Sequence, residues 1–236
     1  MIRQLKRWLK AREAEKNFWS QKDVKALKTS VEWENFVKEN FGLALNSFSS
    51  KSILEVGCGP YGVIHFVDSC SSVGIDPIYF DTWNGIGKIN ASTTHIVATA
   101  EYLPFRDDAF DVCVCFNVLD HSIFPSDAMR EIVRTLKPSG EVLLWVHAIR
   151  RALWIVAPLL SLIDKSHPHH FTFKDVLRLL NENDLIVAST LKKNIRKGNF
   201  LQQFVGFLRI SLKLAVASIT IFNVFIQARI SKRGRL

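Results

Sequence analysis

Short apolar runs punctuated by turn residues dominate the middle of the chain, at residues 53–56, 73–75, 95–98, 110–116 and 142–146. The intervals between them are long enough to cross back over a sheet. Such runs suit strands buried on both faces, so the pattern predicts a parallel α/β sheet. Ala128, Met129, Ile132, Val133 and Leu136 fall at helical spacing, and Lys137-Pro-Ser-Gly140 stops that helix before the next strand. Thr172 with Asp175 forms a capping signature ahead of Val176, Leu177, Leu179 and Leu180, and that helix leads into a strand at 185–191. Residues 219–230, rich in Ile, Phe and Val, read as a final buried strand. Upstream, Leu5, Trp8 and Leu9 sit among Arg3, Lys6, Arg7 and Lys10 as a basic amphipathic helix, and Thr29 with Glu32 opens a second helix. Residues 1–49 therefore form N-terminal helices, a lid or a membrane-surface element. Residues 50–236 form the core domain, with an apolar insertion at 148–171 and a variable helical segment at 192–217.

Charge sharpens this division. The 236 residues carry a net charge of +9, but residues 1–30 hold 9 basic and 3 acidic side chains, residues 31–189 hold 12 and 19, and residues 190–236 hold 10 and none. Basic ends around an acidic centre point to phosphate groups, of lipid headgroups or of nucleic acid. The 48% hydrophobic and 22% charged content excludes a disordered chain. The four cysteines, Cys58, Cys70, Cys113 and Cys115, form no CxxC pair, which points away from a zinc module or disulfide scaffold and toward a reducing cytosol. Cys113 and Cys115, two apart on a strand, read as core. The opening residues lack the apolar run of an export signal. The apolar stretches 152–163 and 214–228 are shorter than the roughly 18 residues of a spanning helix, although flanking arginines and lysines permit dipping into a surface.

The sharpest chemical signal is Ile53-Leu-Glu-Val-Gly-Cys-Gly-Pro-Tyr-Gly62, a strand running into a glycine turn and then a helix. Without Cβ atoms at Gly57, Gly59 and Gly62 the backbone can approach a ligand closely and adopt left-handed angles. Asp76 ends the next apolar run, where a carboxylate can accept both hydroxyl hydrogens of a ribose. Together they imply a nucleoside cofactor. Glu55, two residues before the first glycine, would repel a pyrophosphate but suits an ammonium group, which disfavours a nicotinamide dinucleotide. No tyrosine has a lysine four residues on, so the pair used by short-chain dehydrogenases is absent.

Four blocks resemble the class I S-adenosylmethionine-dependent methyltransferases, in particular the type 11 methyltransferase domain. ILEVGCGPYG at 53–62 resembles the first motif and VGIDP at 73–77 the ribose-binding strand end. ATAEYLPFRDDAFDVCVCFNVLDH at 98–121 resembles the adenine loop, fourth strand and active-site lip, and AMREIVRTLKPSGEVLLW at 128–145 the helix, turn and strand that follow. The resemblance covers about residues 50–190. It implies a Rossmann-like sheet of seven strands, order 3-2-1-4-5-7-6 with the last antiparallel, sandwiched by helices. It implies S-adenosylmethionine as cofactor, with Glu55, Gly57, Gly59 and Gly62 around the methionine moiety, Asp76 on the ribose, Thr99, Ala100 and Glu101 at the adenine edge, and Asn117 near the methionine end. The family often has Asp where this chain has Thr99, which leaves the adenine amino contact to Glu101 or to a backbone carbonyl.

Methyl transfer to a hydroxyl or activated carbon asks for a base, and His121 is the candidate, oriented by Asp120, with lining of the acceptor pocket as the alternative. In His167-Pro-His-His170, the resemblance places His170 facing the acceptor, whereas His167 and His169 read as loop residues. Lacking a carboxylate or cysteine partner in sequence, that cluster predicts no metal site. The insertion is greasy, and Trp154 within it is a candidate acceptor contact. An apolar lid with basic ends suggests a hydrophobic or lipid-linked small-molecule acceptor at an anionic membrane, for a cytoplasmic protein peripheral on the inner face. An RNA acceptor ranks second, because no Asn-Pro-Pro-Tyr-like motif follows the fourth strand. A non-catalytic cofactor-binding scaffold is the third reading.

Overall fold

The computed structural model describes residues 2–20, 29–78, 93–150, 167–194 and 221–231. Its centre is one mixed sheet of β1 (Ser52–Val56), β2 (Ser71–Asp76), β3 (Thr93–Val97), β4 (Phe110–Phe116), β5 (Leu136–Ile149), β7 (Leu185–Asn194) and β8 (Ile221–Ile230), with the two-residue β6 (Phe171–Thr172) beside β5. The order is β3-β2-β1-β4-β5-β8-β7, with β8 antiparallel to both neighbours. Leaving aside β6, this is the expected order of seven. β1 to β5 pair in parallel, the arrangement that buries both faces.

Period-two alternation sorts the strands onto two cores. Cys113 and Cys115 of β4 join Leu54, Val56, Leu144 and Ile226 on one face, under α3 (Pro125–Thr135) and α4 (Phe173–Asn181), which contribute Met129, Ile132, Val176 and Leu180. Val112, Val114 and Phe116 join Ile53, Leu143 and Phe225 on the other face, under α2 (Ser30–Phe41) with Trp33, Val37 and Phe41. Both expected capping boxes form, Thr29 with Glu32 and Thr172 with Asp175.

Four expectations need correcting. No full helix follows the glycine turn. Two 3₁₀ turns, Gly59–Tyr61 and Val63–Phe66, occupy the space before β2, because Pro60, Gly62 and the β-branched Val63-Ile64 leave too few helix-forming residues. Lys137-Pro-Ser-Gly140 is not a break before β5 but a bulge within it, where the register with β4 jumps from Phe110↔Leu136 to Val112↔Glu141. Residues 221–228, suspected of surface dipping, lie in β8 between β5 and β7, with Val224, Phe225, Ile226 and Ala228 buried. Finally, α1 (Ile2–Ser20) splits its apolar residues: Trp8 and Ala11 are buried, while Leu5 and Leu9 face outward at 43% exposure each. The insertion core at 151–166, with Trp154, and the segment 195–217 lie outside the described residues. No helix among those described is long and apolar enough to cross a membrane.

Candidate active site

A crevice opens at the carboxyl ends of the parallel strands, where open α/β sheets place their ligands. Its floor is Val56, Gly57, Ile75 and Asp76. One side is Ala98 to Glu101, and the far side is Asn117, Val118, His121 and Ser122. Trp8, Ala11, Arg12 and Glu15 of α1 roof it.

The glycine turn is pinned by Gly57 N–H and Cys58 N–H donating to Ile75 O at 2.8 and 3.0 Å. Gly57 has φ +70°, and a Cβ there would lie 2.2 Å from Val118 Cγ2, so only glycine fits. Gly59 (φ +48°) donates its N–H to Asp76 Oδ2 at 3.0 Å, and Ile78 N–H donates to Oδ1 at 2.8 Å. Burial, reinforced by Glu15 across the crevice, pushes the Asp76 carboxyl up to about 7. Asn117 is held at φ +57°, with its N–H on Trp145 O at 2.7 Å. Its buried side-chain Oδ1 has no partner.

These features fit S-adenosylmethionine. A carboxylate sits at the end of β2, a bare glycine floor lies beside it, and an orphaned amide oxygen at Asn117 awaits a donor such as an ammonium group. Thr99 and Ala100 line the opposite wall.

Three expected cofactor residues are occupied elsewhere. Glu55, on the face of Ile53 rather than of Leu54 and Val56, turns away from the crevice. It is 2% exposed, and its carboxylate accepts from Val63 N–H at 3.2 Å and Ile64 N–H at 2.7 Å. It anchors the second 3₁₀ turn, and no ammonium contact can be assigned to it. Gly62 serves that anchor instead of the ligand, since a Cβ there would lie 2.4 Å from Glu55 Oε2. Glu101 borders the crevice, but its Oε1 accepts from Ile123 and Phe124 N–H at 2.5 and 3.1 Å, tying the lip to the start of α3. Replacing Glu55 with Ala strands two buried N–H groups and is expected to cost about 2–4 kcal/mol, read by chemical denaturation. An unchanged midpoint would refute the anchoring role.

At the other end of the crevice the histidines rearrange the expected dyad. Asp120, 2% exposed, points its Oδ2 at His167 Nε2, 3.9 Å away, and does not orient His121. The carboxylate nearest His121 is Glu15, whose Oε2 is 3.5 Å from His121 Nδ1. The rings of His121 and His167 lie 4.6 Å apart. His169 donates its N–H to Asp120 O at 3.1 Å, and its Nε2 lies 3.0 Å from Ser122 O, so the loop 167–170 is strapped onto the 3₁₀ turn Leu119–His121. Burial alone would raise the Asp120 carboxyl, but His121, His167 and His147 outweigh it and hold the group below its ordinary range. None of His167, His169 and His170 lines the crevice itself, but His167 and His169, read from the sequence as loop residues, contact the turn that carries Asp120 and His121. His147 of β5 and the α1 residues Trp8, Arg12 and Glu15 were missed. A histidine inside the apolar run of β5 was a signal available in the sequence, whereas the fold-back of α1 was not.

Residues 54–144 match the family model described as a methyltransferase domain. A tRNA U34 carboxymethyltransferase of Campylobacter curvus is 29% identical over 123 residues, 48% of this chain and 40% of that protein. A ubiquinone biosynthesis O-methyltransferase of Aliivibrio fischeri is 26% identical over 64% of this chain and 69% of its own length. Among solved structures, geranyl diphosphate C-methyltransferase from Streptomyces coelicolor, in complex with Mg²⁺, geranyl diphosphate and S-adenosyl-L-homocysteine, superposes with a TM-score of 0.67 at 16% identity, covering 85% of this chain and 78% of that one. Such a likeness speaks for the fold, and the matched stretch is under half the length of the carboxymethyltransferase. Residues 54–144 thus match a methyltransferase domain, and the fold around them is similar to that of a solved methyltransferase.

Proposed function

We propose that the crevice binds S-adenosylmethionine and that the chain transfers its methyl group to a hydrophobic or lipid-linked small molecule. The observation that carries the reading is the pairing of a half-buried carboxylate, Asp76, with the unpartnered Oδ1 of Asn117 across a floor where Gly57 alone fits. Asp76 accepts the ribose hydroxyls, Asn117 Oδ1 accepts from the methionine ammonium, and Thr99 and Ala100 hold the adenine edge. Bound there, the cofactor supplies an electrophilic methyl on a sulfonium. The chain's share is alignment and exclusion of water, for which Trp8 and Ala11 close the roof. His121, on the lip beside Asn117, takes the acceptor's proton, with Glu15 steadying the imidazolium.

The hydrophobic acceptor is supported by α1. The helix that roofs the crevice shows Ile2, Leu5 and Leu9 outward beside exposed Lys6 and Lys10, a surface suited to anionic lipid. Of the similar proteins, one is named for ubiquinone biosynthesis and another for geranyl diphosphate. A second reading, an RNA acceptor, rests on the tRNA relative and the same basic helix. Incubation with methyl-labelled cofactor and separate lipid, RNA and protein pools decides between them. Label in the lipid pool is expected; label in RNA alone installs the second reading, and no transfer with cofactor bound leaves a scaffold. Sedimentation with anionic vesicles checks the membrane surface, and protein left in the supernatant at low salt removes it. His121→Ala is expected to lower kcat about 100-fold or more with cofactor affinity intact. Unchanged turnover would sink the base assignment.

A further inference from the structure

Asp120, His121 and His167 are brought together from positions 46 residues apart by the strap of His169 on the 3₁₀ turn. One nitrogen of each imidazole and one oxygen of the carboxylate all lie within 4.8 Å of one another. Asp120 is 2% exposed, and its Oδ1 has no hydrogen-bond partner. A buried carboxylate with a bare oxygen beside two imidazoles is a costly arrangement with nothing but protein around it. It is also the composition of sites that hold zinc and other first-row divalent ions, two imidazoles and one carboxylate with a further position open.

We propose that Asp120, His121 and His167 bind a divalent first-row transition-metal ion at the acceptor end of the crevice. Regular tetrahedral coordination at about 2.0–2.1 Å puts ligand atoms roughly 3.3 Å apart, so the three side chains close inward by about an ångström on loading. All three sit on short segments outside the sheet, Asp120 and His121 on the 3₁₀ turn and His167 on the strap, where such a shift displaces no strand. Glu15, 3.5 Å from His121 Nδ1, is near enough to steady that ring from the far side. The consequence for chemistry rests on the proposed function. With the ion in place His121 is a ligand, an acceptor hydroxyl bound at the open position is acidified by the ion, and its proton leaves to solvent. The oxygen thus freed is the nucleophile; in the unloaded chain the imidazole takes that proton.

The test uses the full chain, freed of any histidine tag and stripped with chelator, then titrated with Zn²⁺ by calorimetry and with Co²⁺ by visible absorption. One saturable equivalent and tetrahedral Co²⁺ bands are expected. His167→Ala and Asp120→Asn should each weaken binding at least tenfold, while Cys70→Ser, which removes the exposed thiol, should not. No saturable binding in the wild-type chain, or unchanged binding in both ligand variants, overturns the proposal. Should a variant unfold, Co²⁺ shifts of the imidazole resonances in the wild-type chain replace it, and shifts confined to histidines other than His121 and His167 overturn the proposal equally. A parallel titration with S-adenosylhomocysteine separates the two readings. Zn²⁺ binding without nucleoside binding keeps the metal site and removes the proposed function, and the converse removes only the metal site.

Discussion

Gly57→Ala is expected to destabilise the chain by about 3 kcal/mol, roughly 10 °C in thermal midpoint for a domain of this size, and to abolish measurable cofactor binding. Two costs add. At φ +70° an alanine carries a left-handed penalty of about 1–2 kcal/mol. Its methyl would also stand 2.2 Å from Val118 Cγ2 and 3.0 Å from Cγ1, so Val118 must leave the place it holds against the core. Val118 and Asn117 are neighbours on the crevice wall, and Asn117 is itself held at φ +57° by its N–H bond to Trp145 O. A shift of Val118 therefore moves the orphaned amide oxygen as well as the floor. Gly59→Ala serves as the control. Its Cβ would meet nothing within 4 Å, so at φ +48° it incurs only the backbone penalty and should lose less stability. Differential scanning calorimetry and titration with S-adenosylhomocysteine read both variants. Equal losses at the two positions, or none at Gly57, would show that the Val118 contact is not what selects glycine.

What the sequence revealed and what it hid follow from the range of the constraints. The glycine turn, Asp76 and Asn117 are placed by the chain within a few residues of them, through a strand end and a tight backbone, and their positions could be read one motif at a time. The two capping boxes were legible for the same reason, being closed within three residues. Glu55 was misread although the clue was local: it shares a strand face with Ile53, opposite Leu54 and Val56, and that alternation turns it toward α2 and the 3₁₀ turn instead of the ligand. The roof was hidden by distance. Trp8 and Glu15 reach the crevice because α1 folds back over strand ends that begin dozens of residues later, a packing choice that no period in α1 encodes. Its amphipathic pattern was real, yet the buried side consists of Trp8 and Ala11, while Leu5 and Leu9 stay outside. The histidines show the same limit. Asp120 next to His121 suggests a dyad, but the imidazole that Asp120 Oδ2 approaches is His167, supplied by a loop 47 residues away, while Glu15 of α1 lies 3.5 Å from His121.

Cofactor affinity should rise with pH up to neutrality, and the stability of the unliganded chain should move the opposite way. Both trends trace to Asp76. Burial pushes its carboxyl up to about 7, and the charge of Glu15 adds to the rise, against the N–H bonds from Ile78 and Gly59. In the unfolded chain the group has its ordinary acidity, so between about pH 4 and 7 the folded chain binds the extra proton, and stability falls as pH climbs through that window. Ribose hydroxyls need the ionised carboxylate as acceptor. Below pH 7 that proton must leave on binding, and the affinity for S-adenosylhomocysteine should improve about tenfold per pH unit before levelling off above neutrality. Asp76→Asn should flatten the profile and, by losing charge-assisted bonds of about 1.5–3 kcal/mol, weaken binding at pH 8 by roughly 10- to 150-fold. Glu15→Gln removes a like charge from across the crevice and should shift the bend in the profile to lower pH without flattening it. Calorimetric titrations from pH 5.5 to 8.5 on the three chains read these outcomes together. An affinity independent of pH in the wild-type chain, or an asparagine variant that binds as tightly as the parent at pH 8, would take the ribose contact away from Asp76 and with it the nucleoside reading of the crevice.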